Sequence, residues 1–195
     1  MPALRPPAAP CAGSTADAPA GAAISRCFVA LWPDASARQQ LAALTLRLQE
    51  IHVGSRRIDG RDLHLTLAFI GALEAAQAPR VARMLQQICA PRFSWTLDRL
   101  GGFAGARVLW AGGGEEPRLA ALALAVRNGL DALLVGYDRK AFAPHVTLLR
   151  SVTQAPSPPA CEAIAWRVSS PVLVVSQAAG HGHGRYRRWR EEALR

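Results

Sequence analysis

Apolar and polar residues alternate along this chain in patterns that predict both strands and helices. Short apolar runs, rich in β-branched and aromatic residues, predict strands at 26–32, 64–71, 93–103, 106–112, 145–150 and 164–176. Gly71 is expected to end the second of these strands. The spacing within each run is typical of strands that bury one face against a core.

Three further segments show the three- and four-residue spacing of amphipathic helices, at 33–52, 79–89 and 115–136. In the first of them one apolar face is formed by Ala37, Leu41, Leu44, Leu48 and Ile51. Strands and helices together predict an α+β protein.

The order of the predicted elements is similar in the two halves of the chain: strand, helix, and then a strand that contains a His-x-Thr pattern. This order predicts two lobes related by an approximate two-fold axis, within a single domain at 25–190. Residues 1–24 are rich in Ala and Pro and are expected to form a disordered leader, and 191–195 a C-terminal tail.

The repeated pattern places two polar side chains on one face of each strand. His64 and Thr66 lie two residues apart in HLTLAF, and His145 and Thr147 lie two residues apart in HVTLLR. Since alternate side chains of a strand face the same way, each pair lines something polar. The opposite faces are expected to be apolar, with Leu65, Leu67 and Phe69 in the first strand and Val146 and Leu148 in the second.

Two such strands across a cleft would offer two imidazoles and two hydroxyls to one bound group. Because imidazole has an unperturbed pKa of about 6.5, one ring can be neutral while the other is protonated near neutral pH. This pair suits acid–base hydrolysis of a cyclic phosphodiester, with one histidine activating water and the other protonating the leaving ribose oxygen. Threonine hydroxyls would hold the non-bridging oxygens, and the reaction would require no metal.

Composition narrows the choice of partner and compartment. The net charge is +9 with Lys140 as the only lysine, and a charge of this size attracts polyanions. The four cysteines lack the paired spacing of a zinc site or a disulfide framework, so the cytoplasm is expected. No apolar run reaches the roughly 18 residues of a membrane span, and no membrane association is expected.

The segments RCFVALWPD, HLTLAFIG, GGFAGARVLWAG, FAPHVTLLR and WRVSSPVLVVSQ…GRY resemble the 2H phosphoesterase superfamily. Within it they are similar to the bacterial and archaeal RNA 2′,3′-cyclic phosphodiesterases, also named 2′-5′ RNA ligases. The resemblance implies a bilobal α+β fold, with antiparallel sheets facing a central cleft and helices outside. It also implies opening of an RNA 2′,3′-cyclic phosphate to a 2′-phosphate, without metal or cofactor.

The resemblance also implies roles for individual residues. His64 would be the proton donor and His145 the proton acceptor, while Thr66, Thr147, Arg150 and Tyr186 would bind substrate. Strict alternation, however, puts Arg150 on the opposite face from His145, so its role requires a twist or the end of the strand.

Other interpretations remain open from the sequence. The same residues would serve 2′-5′ RNA ligation by the reverse reaction, or hydrolysis of small cyclic nucleotides or ADP-ribose derivatives. A non-catalytic RNA-binding module would not need the two histidines. The expected partners are RNA ends, tRNA fragments among them, or small cyclic phosphates, and the protein is expected to be a monomer.

Two more sets of residues are candidates for binding. Arg56, Arg57 and Arg61 precede the first motif and would either contact RNA phosphates or form solvated surface charge. His181 and His183 lie in a glycine-rich segment and are interpreted as a mobile loop rather than a metal site.

Overall fold

The computed structural model describes residues 23–89, 92–153, 161–177 and 184–190. They form ten strands and three α-helices, which confirms the α+β class. In chain order these are β1 (Ala23–Leu31), α1 (Ala35–Ile51), β2 (Arg56–Arg57), β3 (Leu65–Glu74), α2 (Ala78–Gln87), β4 (Phe93–Leu97), β5 (Arg99–Phe103), β6 (Val108–Gly112), α3 (Pro117–Ala132), β7 (Val146–Arg150), β8 (Ile164–Val168), β9 (Val172–Ser176) and β10 (Tyr186–Arg188). Residues 1–22 of the predicted leader, the pair His181 and His183, and the tail 191–195 lie outside the described residues. The last two residues of the predicted leader, Ala23 and Ile24, belong instead to β1.

The three predicted helices are confirmed, and the first shows why it begins where it does. The Asp34 carboxylate accepts hydrogen bonds from the backbone amides of Ser36 and Ala37 and so caps α1. Its other oxygen accepts from the amide of Arg167, which ties the helix to β8. Most of the predicted apolar face is buried, whereas Ile51, at the last turn, is exposed. Among the described residues, no helix has the length and hydropathy needed to cross a bilayer.

Most strands belong to one antiparallel sheet, in the order β10-β9-β1-β3-β7-β6-β5, with β2 paired to β7. β4 and β8 form a separate two-stranded sheet. The two strands that carry the His-x-Thr patterns, β3 and β7, are therefore neighbours at the centre, where the two halves of the chain meet. This arrangement confirms the prediction that the duplicated motifs come together.

The prediction that Gly71 ends its strand is wrong. β3 continues to Glu74, and Gly71 has a φ of +83°, which a glycine adopts without strain. The pairing of β3 with β1 is irregular on both sides of this residue. Gly71 thus marks a break in the register rather than the end of the strand.

Candidate active site

The site lies where β3 and β7 pair with each other. Leu65 of β3 pairs with Val146 of β7, and both side chains are fully buried in the core. The polar residues on either side of this pair therefore face the opposite way. A cavity of about 260 Å³ opens there, and all six residues predicted for the site line it: His64, Thr66, His145, Thr147, Arg150 and Tyr186.

Arg150 reaches this cavity because β7 contains a bulge. Trp110 of β6 pairs with Thr147 and Leu109 pairs with Leu149, so Leu148 is an extra residue on β7. Leu148 and Leu149 are both fully buried. The extra residue reverses the alternation, and Arg150 falls on the face of Thr147. Strict alternation would put Arg150 on the face opposite His145, and the bulge explains why it lines the cavity instead.

β3 has the same irregularity at the equivalent place. Ala30 of β1 pairs with Thr66 and Val29 pairs with Ala68, which leaves Leu67 as the extra residue. Phe69, the counterpart of Arg150, is consequently not packed in the core as predicted. This residue is 43% exposed and lines a second cavity beside the first. The approximate two-fold relation thus extends to the bulges.

Each catalytic candidate histidine is oriented by a backbone carbonyl two residues before it. The Nδ1 atom of His64 donates to the carbonyl of Asp62 at 2.6 Å, and Nδ1 of His145 donates to that of Ala143 at 2.7 Å. A carbonyl oxygen only accepts, so Nδ1 carries the hydrogen in the neutral ring. In both residues Nε2 is left for proton exchange with a bound group.

Aromatic rings fix the planes of the two imidazoles. The His64 ring stacks on Phe28 with centroids 4.8 Å apart, and the Tyr186 ring meets it edge-on at 5.0 Å. The ring of His145 is met edge-on by Phe103, also at 5.0 Å. Each histidine therefore lies in an aromatic setting that excludes part of its water.

These surroundings lower the pKa of both imidazoles below the usual value. Burial is the largest cause for His64, and the Asp62 carbonyl and carboxylate oppose it. For His145 burial again dominates, opposed by the Ala143 carbonyl. The positive charge of Arg150 lowers the pKa of both rings. Both rings are therefore held mainly neutral at neutral pH while no anion is bound.

Asp62 is a site residue that the sequence did not indicate. Its carboxylate is buried and accepts hydrogen bonds from the backbone amides of Arg185 at 2.8 Å and Tyr186 at 3.1 Å. A Cβ on Gly184 would come within 2.7 Å of the same carboxylate. Asp62 thus holds the start of β10, with Tyr186, against His64. Since 123 residues separate Asp62 from Arg185, no local pattern could have revealed the contact.

Among the described residues, no cluster of three or more His, Cys, Asp or Glu side chains could hold a metal ion. Within the described part of the chain, the site's charged and titratable side chains are those of His64, His145, Asp62, Arg150 and Tyr186.

A sequence profile of the 2′-5′ RNA ligase superfamily matches residues 32–179, which include both motifs and the strands between them. The chain belongs to the 2′-5′ RNA ligase superfamily. Among relatives in this superfamily, the RNA 2′,3′-cyclic phosphodiesterase of Escherichia coli K12 is 33% identical over 139 residues, covering 69% of this chain and 78% of that protein. The protein of the same name from Archaeoglobus fulgidus is 30% identical over 129 residues, covering 64% and 72%.

Solved structures of superfamily members share the fold. The crystal structure of E. coli LigT complexed with 3′-AMP matches with a TM-score of 0.70 and 30% identity, covering 84% of this chain and 92% of that one. LigT complexed with phosphate matches with a TM-score of 0.68 and 29% identity, covering 85% and 94%. These matches confirm the predicted 2H phosphoesterase fold.

Proposed function

We propose that this protein hydrolyses the 2′,3′-cyclic phosphate at RNA ends to a 2′-phosphate, with His64 and His145 as the acid–base pair. The observation that carries the proposal is the convergence of both His-x-Thr motifs on one cavity, each with its Nε2 atom free to exchange a proton. Membership of a superfamily whose relatives are named RNA 2′,3′-cyclic phosphodiesterases supports the same reaction.

In this mechanism neutral His145 takes a proton from water through Nε2, and the water oxygen attacks phosphorus. The bond from phosphorus to the ribose O3′ breaks, and protonated His64 gives its proton to that oxygen. The products are a 2′-phosphate and a 3′-hydroxyl, and the rings exchange protons with solvent before the next cycle. Burial lowers the pKa of His64 most, but the Asp62 carboxylate opposes it and favours the protonated ring, which supports His64 as the donor.

Binding of the anionic substrate would favour protonation of the histidine that acts as the acid. A phosphodiester between the rings favours the protonated imidazole, which opposes the lowering by burial and by Arg150. Thr66 and Thr147 would donate to the non-bridging oxygens. The guanidinium of Arg150 would meet the charge that develops on the phosphorane.

The proposed partners are RNA ends, tRNA fragments among them. We propose that the protein acts on them as a monomer in the cytoplasm. The basic net charge supports an RNA rather than a neutral substrate.

An oligoribonucleotide with a 2′,3′-cyclic phosphate end tests the function. We expect the purified protein to convert it to an end with a 2′-phosphate and a 3′-hydroxyl, identified by its sensitivity to phosphatase and its mass. Formation of a 3′-phosphate end, or ligation with no hydrolysis when a 5′-hydroxyl oligonucleotide is added, would contradict the proposal.

A further inference from the structure

A second cavity of about 330 Å³ adjoins the catalytic one on the side of β1 and β10. The two cavities share His64, Thr66, Arg150 and Tyr186. From these shared residues the second cavity extends to Arg26, Arg56 and Arg185. Of the arginines that line the second cavity, the proposed hydrolysis gives a role to Arg150 alone. The other three have no assigned role.

The charges around this second cavity are unbalanced. Among the residues that the structure describes, four arginines line it and no carboxylate does. Within the described ranges none of these four side chains forms an ion pair, whereas Arg118 and Arg139 do, with Glu116 and Asp131. Unneutralised guanidinium groups around one cavity provide a binding site for an anion.

Two of these arginines stand directly opposite each other. Arg56 of β2 is the cross-strand partner of Arg150 of β7. Like charges facing each other across a strand pair are destabilising. A bound anion between or beside them would offset that repulsion.

Arg26 has a backbone conformation that also points to a function. Its φ is +59°, in the left-handed region that residues with side chains rarely adopt. It lies where the pairing of β1 with β3 is irregular, between Ile24 and Cys27. Strained residues of this kind cluster at binding and catalytic sites.

We propose that this second cavity binds the phosphodiester on the 5′ side of the terminal nucleotide, so that the enzyme prefers oligoribonucleotides to nucleoside 2′,3′-cyclic phosphates. The inference rests on the proposed function, which puts the cyclic phosphate in the first cavity. From that terminal ribose the RNA continues through its 5′ oxygen to another phosphate, which carries one negative charge. Arg26, Arg56 and Arg185 offer that phosphate a basic site beside the reaction.

The test compares a dinucleotide that ends in a 2′,3′-cyclic phosphate with the matching nucleoside 2′,3′-cyclic phosphate. The variants are Arg56→Gln and Arg26→Gln, with Arg57→Gln as control. Arg57 is the strand neighbour of Arg56, points to the other face and does not line the cavity, so the control makes the same charge change outside the site.

We expect kcat/KM to fall about tenfold more for the dinucleotide than for the mononucleotide in each test variant, the effect of one charge-assisted hydrogen bond. The salt dependence of dinucleotide binding should also weaken, by a slope of about 0.7 for one lost phosphate contact. Arg57→Gln should show neither effect.

Equal losses on both substrates, or the same selective loss in Arg57→Gln, would overturn the inference while leaving the proposed function intact. If the wild type hydrolyses neither substrate, the proposed function fails. The subsite is then decided by titrating the dinucleotide 2′-phosphate against the nucleoside 2′-phosphate: equal affinity for the two, or no effect of Arg56→Gln, overturns it.

Discussion

Replacing the Asp62 carboxylate by a neutral amide should loosen β10 and, with it, the Tyr186 ring that packs against His64. The backbone amides of Arg185 and Tyr186 donate to this carboxylate at 2.8 and 3.1 Å and so help to hold the start of β10 there. In Asp62→Asn the side-chain oxygen retains one bond, whereas the NH₂ group faces the other amide. One hydrogen bond to a charged group is lost.

The magnitude follows from that count. A hydrogen bond to a charged group contributes about 1.5–3 kcal/mol, and the lower value applies because Arg185 is exposed. For a chain of this length about 1.5 kcal/mol lowers Tm by roughly 3–6 °C. Asp62→Ala removes both bonds and should lower Tm about twice as far. Asp59→Asn is the matched control, because Asp59 is on the same loop and its pair with Arg61 is exposed, worth about 0.2–1 kcal/mol.

Thermal unfolding measures the global effect, and limited trypsin digestion measures the local one. Cleavage after Arg185, Arg187 and Arg188 should accelerate in Asp62→Asn, since β10 then opens more often. The kcat/KM value should also fall, because Tyr186 no longer holds the His64 ring. An Asp62→Asn protein with wild-type Tm and wild-type digestion would refute the role of this carboxylate.

Three further predictions concern the cavity itself. Thr66→Ala and Thr147→Ala should each lower kcat/KM by the equivalent of about 1–3 kcal/mol, measured against the corresponding Thr→Ser variant, which keeps the hydroxyl; equal activity of the Ala and Ser variants would exclude a hydrogen bond to substrate. The kcat/KM profile against pH should be bell-shaped with its maximum below about pH 6.5, since both imidazole pKa values are lowered. Arg150→Gln should move both limbs to higher pH, because it removes a charge that lowers both pKa values. A maximum clearly above about pH 6.5, or limbs that stay in place in Arg150→Gln, would contradict this assignment. Turnover should be unchanged in EDTA, because acid, base and oxyanion donors are all side chains; a loss restored by zinc or magnesium would count against the mechanism.

The parts of the site that follow a regular period could be predicted from the sequence. His64 and Thr66 lie on one face, as do His145 and Thr147, because alternate residues of a strand share a face. The meeting of the two strands was predicted from the duplicated order of elements.

The parts that depend on an irregular backbone could not be predicted in this way. Leu67 and Leu148 are inserted at bulges, and each reverses the alternation for the residues that follow. Strict alternation therefore predicts the wrong face for both Phe69 and Arg150. Two consecutive apolar residues after each threonine are the only sequence signal of these bulges.

Contacts between distant parts of the chain could not be predicted from the sequence either. The strand β10 was not predicted, and Tyr186 was suggested by family resemblance alone. Its position depends on Asp62, whose partners are far away in sequence and are backbone amides rather than recognisable side chains.

The central claim is that His64 and His145 act as one acid–base pair in one cavity. The most direct test is the turnover of His64→Ala, His145→Ala and the double variant on an oligoribonucleotide with a 2′,3′-cyclic phosphate end. Each single change should lower kcat by about 10²–10⁴-fold, and the double variant should be little worse than the poorer single variant, because residues that act as a unit are not additive. A double variant whose loss equals the product of the single losses, or a His145→Ala protein with near-normal turnover, would contradict the account.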